Sequence, residues 1–287
     1  LDVRWLPFNT DTFEFDMDIV VQSISDRTKL VCIGGASNLT GTLNDVKSIC
    51  GKARAFGAMT FVDGVQSAPH VPVDVQDIGC DFFVCSSYKF FGPHQGILWG
   101  RREVLERLEP YKLRPAPEEL PWRFESGTQS HEGMAGITAA VEYFATIGAT
   151  MAASHADNWM HFDGRRRDIH AAIDMLFDYE KSLAEKLIEG LMSIDAIKVQ
   201  GVTDKEAMER RVPTVSFTHE SKQPDEIAAA LAQQNIFVWS GHNYAVEVAK
   251  SLDIYDTGGA VRIGPVHYNS LAEIDELLEA LTSIVSS

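Results

Sequence analysis

Short apolar runs alternate with amphipathic stretches through the first hundred residues, and two of the runs lead into chemically competent groups. Residues 59–62 run into Asp63, in Phe61-Val-Asp63-Gly-Val-Gln66. Residues 82–85 run toward Lys89, in Asp81-Phe-Phe-Val-Cys-Ser-Ser-Tyr-Lys89, 26 positions beyond Asp63. In an α/β chain that interval fits two strands of one sheet, so both side chains fall at strand ends, where such sheets bind ligands. The runs 3–6, 17–24, 30–33, 43–56 and 96–99, punctuated by Gly34-Gly35, Gly57 and Gly79, extend the alternation. It predicts an α/β fold with a mostly parallel sheet covered by helices.

Beyond residue 100 the pattern predicts a short helix over 101–108. An extended loop follows over 110–121, where Pro110, Pro115, Pro117 and Pro121 forbid a helix interior. Helices are expected over 132–147 and 168–191; in the second, Ile169, Ile173, Leu176, Leu183, Leu187 and Leu191 recur at helical spacing and bury one stripe. Strands over 197–200, 214–217, 236–239 and 261–264, with helices over 225–234 and 271–283, then predict a smaller α+β domain. The expected division is a large domain over 1–150, and a connecting helix with the small C-terminal domain over 151–287.

The chain carries 45% hydrophobic and 23% charged residues, a globular balance, and a net charge of −16. That excess of acid excludes nucleic acid and an anionic membrane surface as partners, since phosphate recognition needs clustered Lys and Arg. The one basic cluster, Arg165-Arg166-Arg167, reads as a solvated helix start. Cys32, Cys50, Cys80 and Cys85 show neither Cys-x-x-Cys nor zinc spacing, and no histidine pair has ligand spacing, so no metal is expected. Free thiols inside apolar runs, with no signal peptide and no apolar run of about 18 residues, point to a reducing cytoplasm. The text begins on Leu1 in mid-fold, as a fragment would.

A lysine at a strand end can form an imine with a carbonyl cofactor. A carboxylate at the neighbouring strand end can keep a pyridine nitrogen protonated. Lys89 and Asp63 therefore propose a pyridoxal 5'-phosphate enzyme. Ser86 and Ser87 add hydroxyl donors beside Lys89, and Gly92-Pro-His-Gln-Gly96 lets backbone approach a phosphate. Gln66 is in reach of the ring's phenolic oxygen, and Asn38, closing a third run 25 positions before Asp63, fits a second donor to it.

The segments Ser37-Asn38-Leu-Thr-Gly41, Val62-Asp63-Gly-Val-Gln66, Pro72-Val-Asp74-Val, Cys80-Asp-Phe-Phe-Val-Cys-Ser-Ser-Tyr-Lys89 and Phe124-Glu-Ser-Gly127-Thr128 resemble the class-V aminotransferase family, nearest its cysteine desulfurase-like branch. The resemblance runs the whole length of the chain in constant register. It implies fold type I, with Lys89 as the Schiff-base residue, Asp63 on the pyridine nitrogen, and Asn38 and Gln66 on the phenolic oxygen. It also implies Ser86 at the phosphate, Thr128 at the phosphate of a partner subunit's cofactor in a homodimer, and Arg262 on the carboxylate of an amino-acid substrate. Roughly a hundred further residues before Leu1 are implied as well.

Two positions depart from the desulfurase pattern. Tyr88 stands where a histidine is usual, its hydroxyl still able to donate to phosphate. Gly241-His242-Asn243-Tyr244 replaces a loop ending in the catalytic cysteine, so His242 and Tyr244 are expected to shape a substrate pocket without sulfur chemistry. The expected activity is that of an aminotransferase or lyase and not of a true cysteine desulfurase. A catalytically silent scaffold that keeps the fold is the rival. A serine hydrolase and a dinucleotide enzyme are excluded, since neither Gly-x-Ser-x-Gly nor Gly-x-Gly-x-x-Gly after a strand occurs.

Overall fold

A computed structural model describes residues 2–286. Its strands are β1 (Leu30–Gly34), β2 (Met59–Asp63), β3 (Phe82–Ser86), β4 (Gly96–Gly100), β5 (Ile197–Gln200), β6 (Val215–His219), β7 (Trp239–Gly241) and β8 (Ala260–Ile263). Its helices are α1 (Met17–Ser23), α2 (Val46–Ala55), α3 (Val75–Ile78), α4 (Arg102–Arg107), α5 (His131–Met151), α6 (Ala153–Ala156), α7 (Gly164–Met192), α8 (Pro224–Ala232), α9 (Val246–Ser251) and α10 (Leu271–Val285). The chain forms two compact units. One holds Ile24–Gly35 and Asp45–Ile173; the other holds the residues up to Ser23, Ala36–Asn44 and everything from Asp174 on. No helix among the described residues is long and apolar enough to cross a membrane.

In the first unit the sheet order is β1-β2-β3-β4, with β1, β2 and β3 parallel and β4 antiparallel to β3. Parallel neighbours need a crossover, and α2 supplies the one between β1 and β2. Asp45 starts α2 by accepting the Ser48 N–H at 3.0 Å, and Asp74 caps α3 through the Gln76 and Asp77 N–H groups. One sheet face is core: Val31, Ile33, Thr60, Val62 and Phe83 are all buried. Phe83 lies so close beneath Gly64 that a Cβ there would sit 2.0 Å from the ring, which fixes the turn just after Asp63.

In the second unit β5-β6-β8-β7 form an antiparallel sheet. Val215, Phe217, Val261 and Ile263 point into a core with Leu183, Leu187 and Leu191 of α7, Ile227 and Leu231 of α8, and Ile274, Leu277 and Leu281 of α10. A capping box between Ser270 and Glu273 starts α10.

Three sequence expectations are corrected here. Residues 3–6 form neither strand nor helix. The strand expected over 236–239 is only Trp239–Gly241; Ile236 and Val238 pack against the core without pairing, because the apolar pattern reports burial and not ladder bonds. Asn38 does not close a strand: β1 ends at Gly34, and the Ser37 hydroxyl draws in the N–H groups of Leu39 and Thr40 to form a turn.

Candidate active site

In the first unit, Asp63 ends β2 in register with Gly34 on β1 and Val84 on β3. Its carboxylate accepts the Val65 N–H at 2.9 Å, a local turn that leaves the side chain exposed at the carboxyl edge of the parallel strands. Ser86 ends β3 opposite Gly96, where a Cβ would meet nothing within 4 Å. Alternation puts Asp63, Val84, Ser86 and Gly96 on one face. Gly34 on β1 and Gly96 on β4 flank this pair, and the empty space above Gly96 leaves an open shelf beside the Ser86 hydroxyl.

Lys89 follows in a single 3-10 turn, Ser87–Phe90, which ends on Phe91 at φ 67°. Buried Ser87 is the staple of this turn. Its hydroxyl donates to the Pro93 and Gln95 carbonyls, its N–H to Gln95, and its own carbonyl accepts the Gly92 N–H. Ser87 therefore holds the loop that sequence alone assigned to phosphate. Lys89 Nζ lies 5.2 Å over the Tyr88 ring, which stacks on His94 at 5.0 Å and 13°. Sequence reasoning had left His94 without a role. Gln66 lies half-buried in the turn after Asp63, and Thr128 is exposed after Gly127, whose φ is 87°. The Asp63, Gln66, Ser86 and Lys89 set, on its open shelf, fits a flat pyridine ring carrying a phosphate.

Three of the four thiols of this unit are poor nucleophiles, while Cys32 is exposed on β1. Burial raises the pKa of Cys50 and Cys85, the latter also through the charge of Asp63, and pushes Cys80 up to about 11. The second unit contains no cysteine among its described residues.

That second unit instead gathers Asn38, His242, Tyr244 and Arg262. Arg262 Nη1 donates to the Asn38 carbonyl at 2.9 Å, and Asn38 Nδ2 donates to the Asn243 carbonyl at 2.6 Å. Part of the Asn38 amide is thus committed to the loop rather than to a ligand. Asn243, which sequence reasoning missed, is buried and donates to the Gly241 carbonyl at 2.9 Å. Asn243 and Tyr244 are both left-handed, at φ 52° and 62°. The loop sits on Gly259, at φ 82°, where a Cβ would lie 2.2 Å from the Gly241 backbone. The His242 ring stacks on Tyr255 at 5.6 Å, and its Nδ1 accepts the Tyr244 N–H at 3.1 Å. The Tyr244 side chain is left 91% exposed. This arrangement offers a guanidinium on β8 and an imidazole and a phenol on a fastened loop.

A family model for "Aminotransferase class-V" matches residues 1–166 and 169–277. The chain is similar to a probable cysteine desulfurase of Halalkalibacterium halodurans, 32% identical over 97% of this chain and 63% of the relative. It is also similar to a cysteine desulfurase of Pectobacterium atrosepticum, 29% identical over 99% of this chain and 65% of the relative. The chain thus spans a little under two thirds of these relatives' length. Among solved structures, the apo cysteine desulfurase from Thermococcus onnurineus NA1 superposes with a TM-score of 0.83 at 26% identity, over 99% of this chain and 66% of that one.

Proposed function

Because the chain belongs to the class-V aminotransferase family, of fold type I and dependent on pyridoxal 5'-phosphate, we propose that it is part of an enzyme that processes an amino acid through Lys89. One observation carries this reading: Asp63 ends β2, and Lys89 lies in the turn just past the end of the adjacent parallel strand β3, beside an open shelf. When bound, the cofactor supplies an electron sink for charge developing at the substrate's α-carbon. Asp63 would keep the ring nitrogen protonated, Gln66 would donate to the phenolic oxygen, and Ser86 and Tyr88 would hold the phosphate. Lys89 would hold the cofactor through its amine and would move a proton at the substrate's Cα. Arg262 grips the substrate carboxylate, with His242 and Tyr244 beside it. Thr128, exposed, reaches the cofactor of the second subunit of a homodimer, and four free thiols suit a reducing cytoplasm.

The finer reading is transamination or elimination at Cα, not desulfuration. Tyr244 puts a phenol on the loop where a sulfur-accepting thiolate would be needed, and burial raises the pKa of Cys50, Cys80 and Cys85 in the other unit. A second reading, cysteine desulfurase, is favoured by the names of the relatives at 29–32% identity. One assay separates them. Full-length protein given cysteine and a reductant is expected to release sulfide and alanine far more slowly than an ordinary enzymatic turnover of about 1 per second. Stoichiometric alanine at such a rate establishes the second reading instead.

Asp63→Asn tests the carboxylate. Asparagine keeps an oxygen for the Val65 N–H and removes only the charge. Turnover is expected to fall on the order of 100-fold while cofactor loading changes little. Unchanged turnover makes Asp63 structural, and absence of a borohydride-reducible chromophore in the wild type favours the silent scaffold.

A further inference from the structure

We propose that Trp239, together with Tyr244, selects amino acids whose side chains present a flat aromatic face. This rests on the reading of Arg262 as the carboxylate-binding residue. Trp239 is the direct cross-strand partner of Arg262 in the antiparallel β7–β8 pair. Directly opposed residues project from the same face, with Cβ atoms about 5 Å apart. On the other flank the partner of Arg262 is Ser216, fully buried, its hydroxyl donated to the Leu39 carbonyl at 2.6 Å. A ligand held by the guanidinium therefore meets a closed wall on one side and an indole on the other. β7 is an edge strand, and Trp239 is 60% exposed.

The chain leaves Trp239 through Ser240 and Gly241 into the loop that presents Tyr244. Two consecutive non-glycine residues in the left-handed region are strained, and such strain persists only where the surroundings over-determine it. The close seat on Gly259, the Asn38 and Asn243 hydrogen bonds and the His242–Tyr255 stack do so here. The backbone that carries the phenol is thereby held in place. A methyl or thiol side chain is too short to cover either ring. A flat side chain gains an aromatic contact with each, and two such contacts correspond to roughly 5- to 100-fold in affinity.

The test uses full-length protein carrying its cofactor and two ligands that lack a Cα proton and so do not turn over: α-methylphenylalanine and 2-methylalanine. Calorimetry is expected to show the aromatic ligand binding at least about fivefold tighter. Trp239→Ala is expected to remove most of that preference without changing the affinity for 2-methylalanine, and Trp239→Phe to restore most of it. Binding of both ligands without preference, or a preference untouched by Trp239→Ala, overturns the inference and leaves the functional reading standing. Equal weakening of both ligands in Trp239→Ala also overturns it, because Trp239 would then merely support Arg262. If neither ligand binds the wild type, or if Arg262→Gln weakens neither, the functional reading fails and the inference falls with it.

Discussion

Lys89→Ala is expected to yield a folded protein that has lost its borohydride-reducible chromophore and on the order of 1,000-fold or more of its turnover. Two roles vanish together: the covalent anchor and the proton carrier, the second alone being worth about 100- to 10,000-fold. The fold is expected to survive because Ser87 fastens the turn through its N–H, hydroxyl and carbonyl, tying it to Gly92, Pro93 and Gln95. The contact over the Tyr88 ring is a cation–π interaction of a half-exposed amine, worth about 1 kcal/mol at most. Absorbance before and after borohydride, with a urea melt alongside, reads both halves. A reducible chromophore in the variant would sink the assignment of Lys89, and collapse of the fold would mean that the lysine is structural.

The parallel strands were legible because each is a short apolar run closed by a polar or turn residue, and their spacing left room for one crossover. That placed Asp63 at the end of β2, while Lys89 lies three residues past the end of β3, in the turn that follows it. Asn38 was misplaced by a few residues, since a run that continues into Gly34-Gly35 looks like strand until the hydroxyl of Ser37 is seen to redirect the backbone. Arg165, Arg166 and Arg167 read as a helix start, and α7 does begin at Gly164. Their acidic partners Glu142 and Asp74 are too distant in sequence to be foreseen, while Asp168 is the next residue. Trp239 was invisible as a site residue because its importance lies in register. Only the pairing of β7 with β8 reveals that it stands opposite Arg262. Asn243 was hidden for a similar reason, its value lying in a carbonyl that accepts from a residue 205 positions away.

Arg211 is the residue that sequence would most readily dismiss as a surface charge, and Arg211→Met is expected to cost about 4 kcal/mol of stability, or roughly 10 °C in Tm. The side chain is 2% exposed, and no carboxylate pairs with it among the described residues. Its guanidinium instead donates to the carbonyls of Val202, Val212 and Thr214. Burial lowers its pKa to about 10, so it stays charged at neutral pH. Methionine fills much of the volume but strands three carbonyls, each worth about 1–3 kcal/mol when left without a donor. Relief from burying a charge offsets part of that loss. The pH dependence has a definite sign. The unfolded arginine, with its ordinary higher pKa, keeps a proton that the folded one releases above about 10, so wild-type stability gains relative to the variant as pH rises past that point. The consequence reaches the substrate end. Val212 donates to the Gly41 carbonyl and Leu43 to that of Arg210, so the segment around Arg211 holds the turn that presents Asn38 to Arg262. Carboxylate affinity should therefore fall in Arg211→Met at temperatures where it is still folded. A loss below about 1 kcal/mol would mean that water or backbone rearrangement supplies the missing donors, and that the turn around Asn38 stands without Arg211.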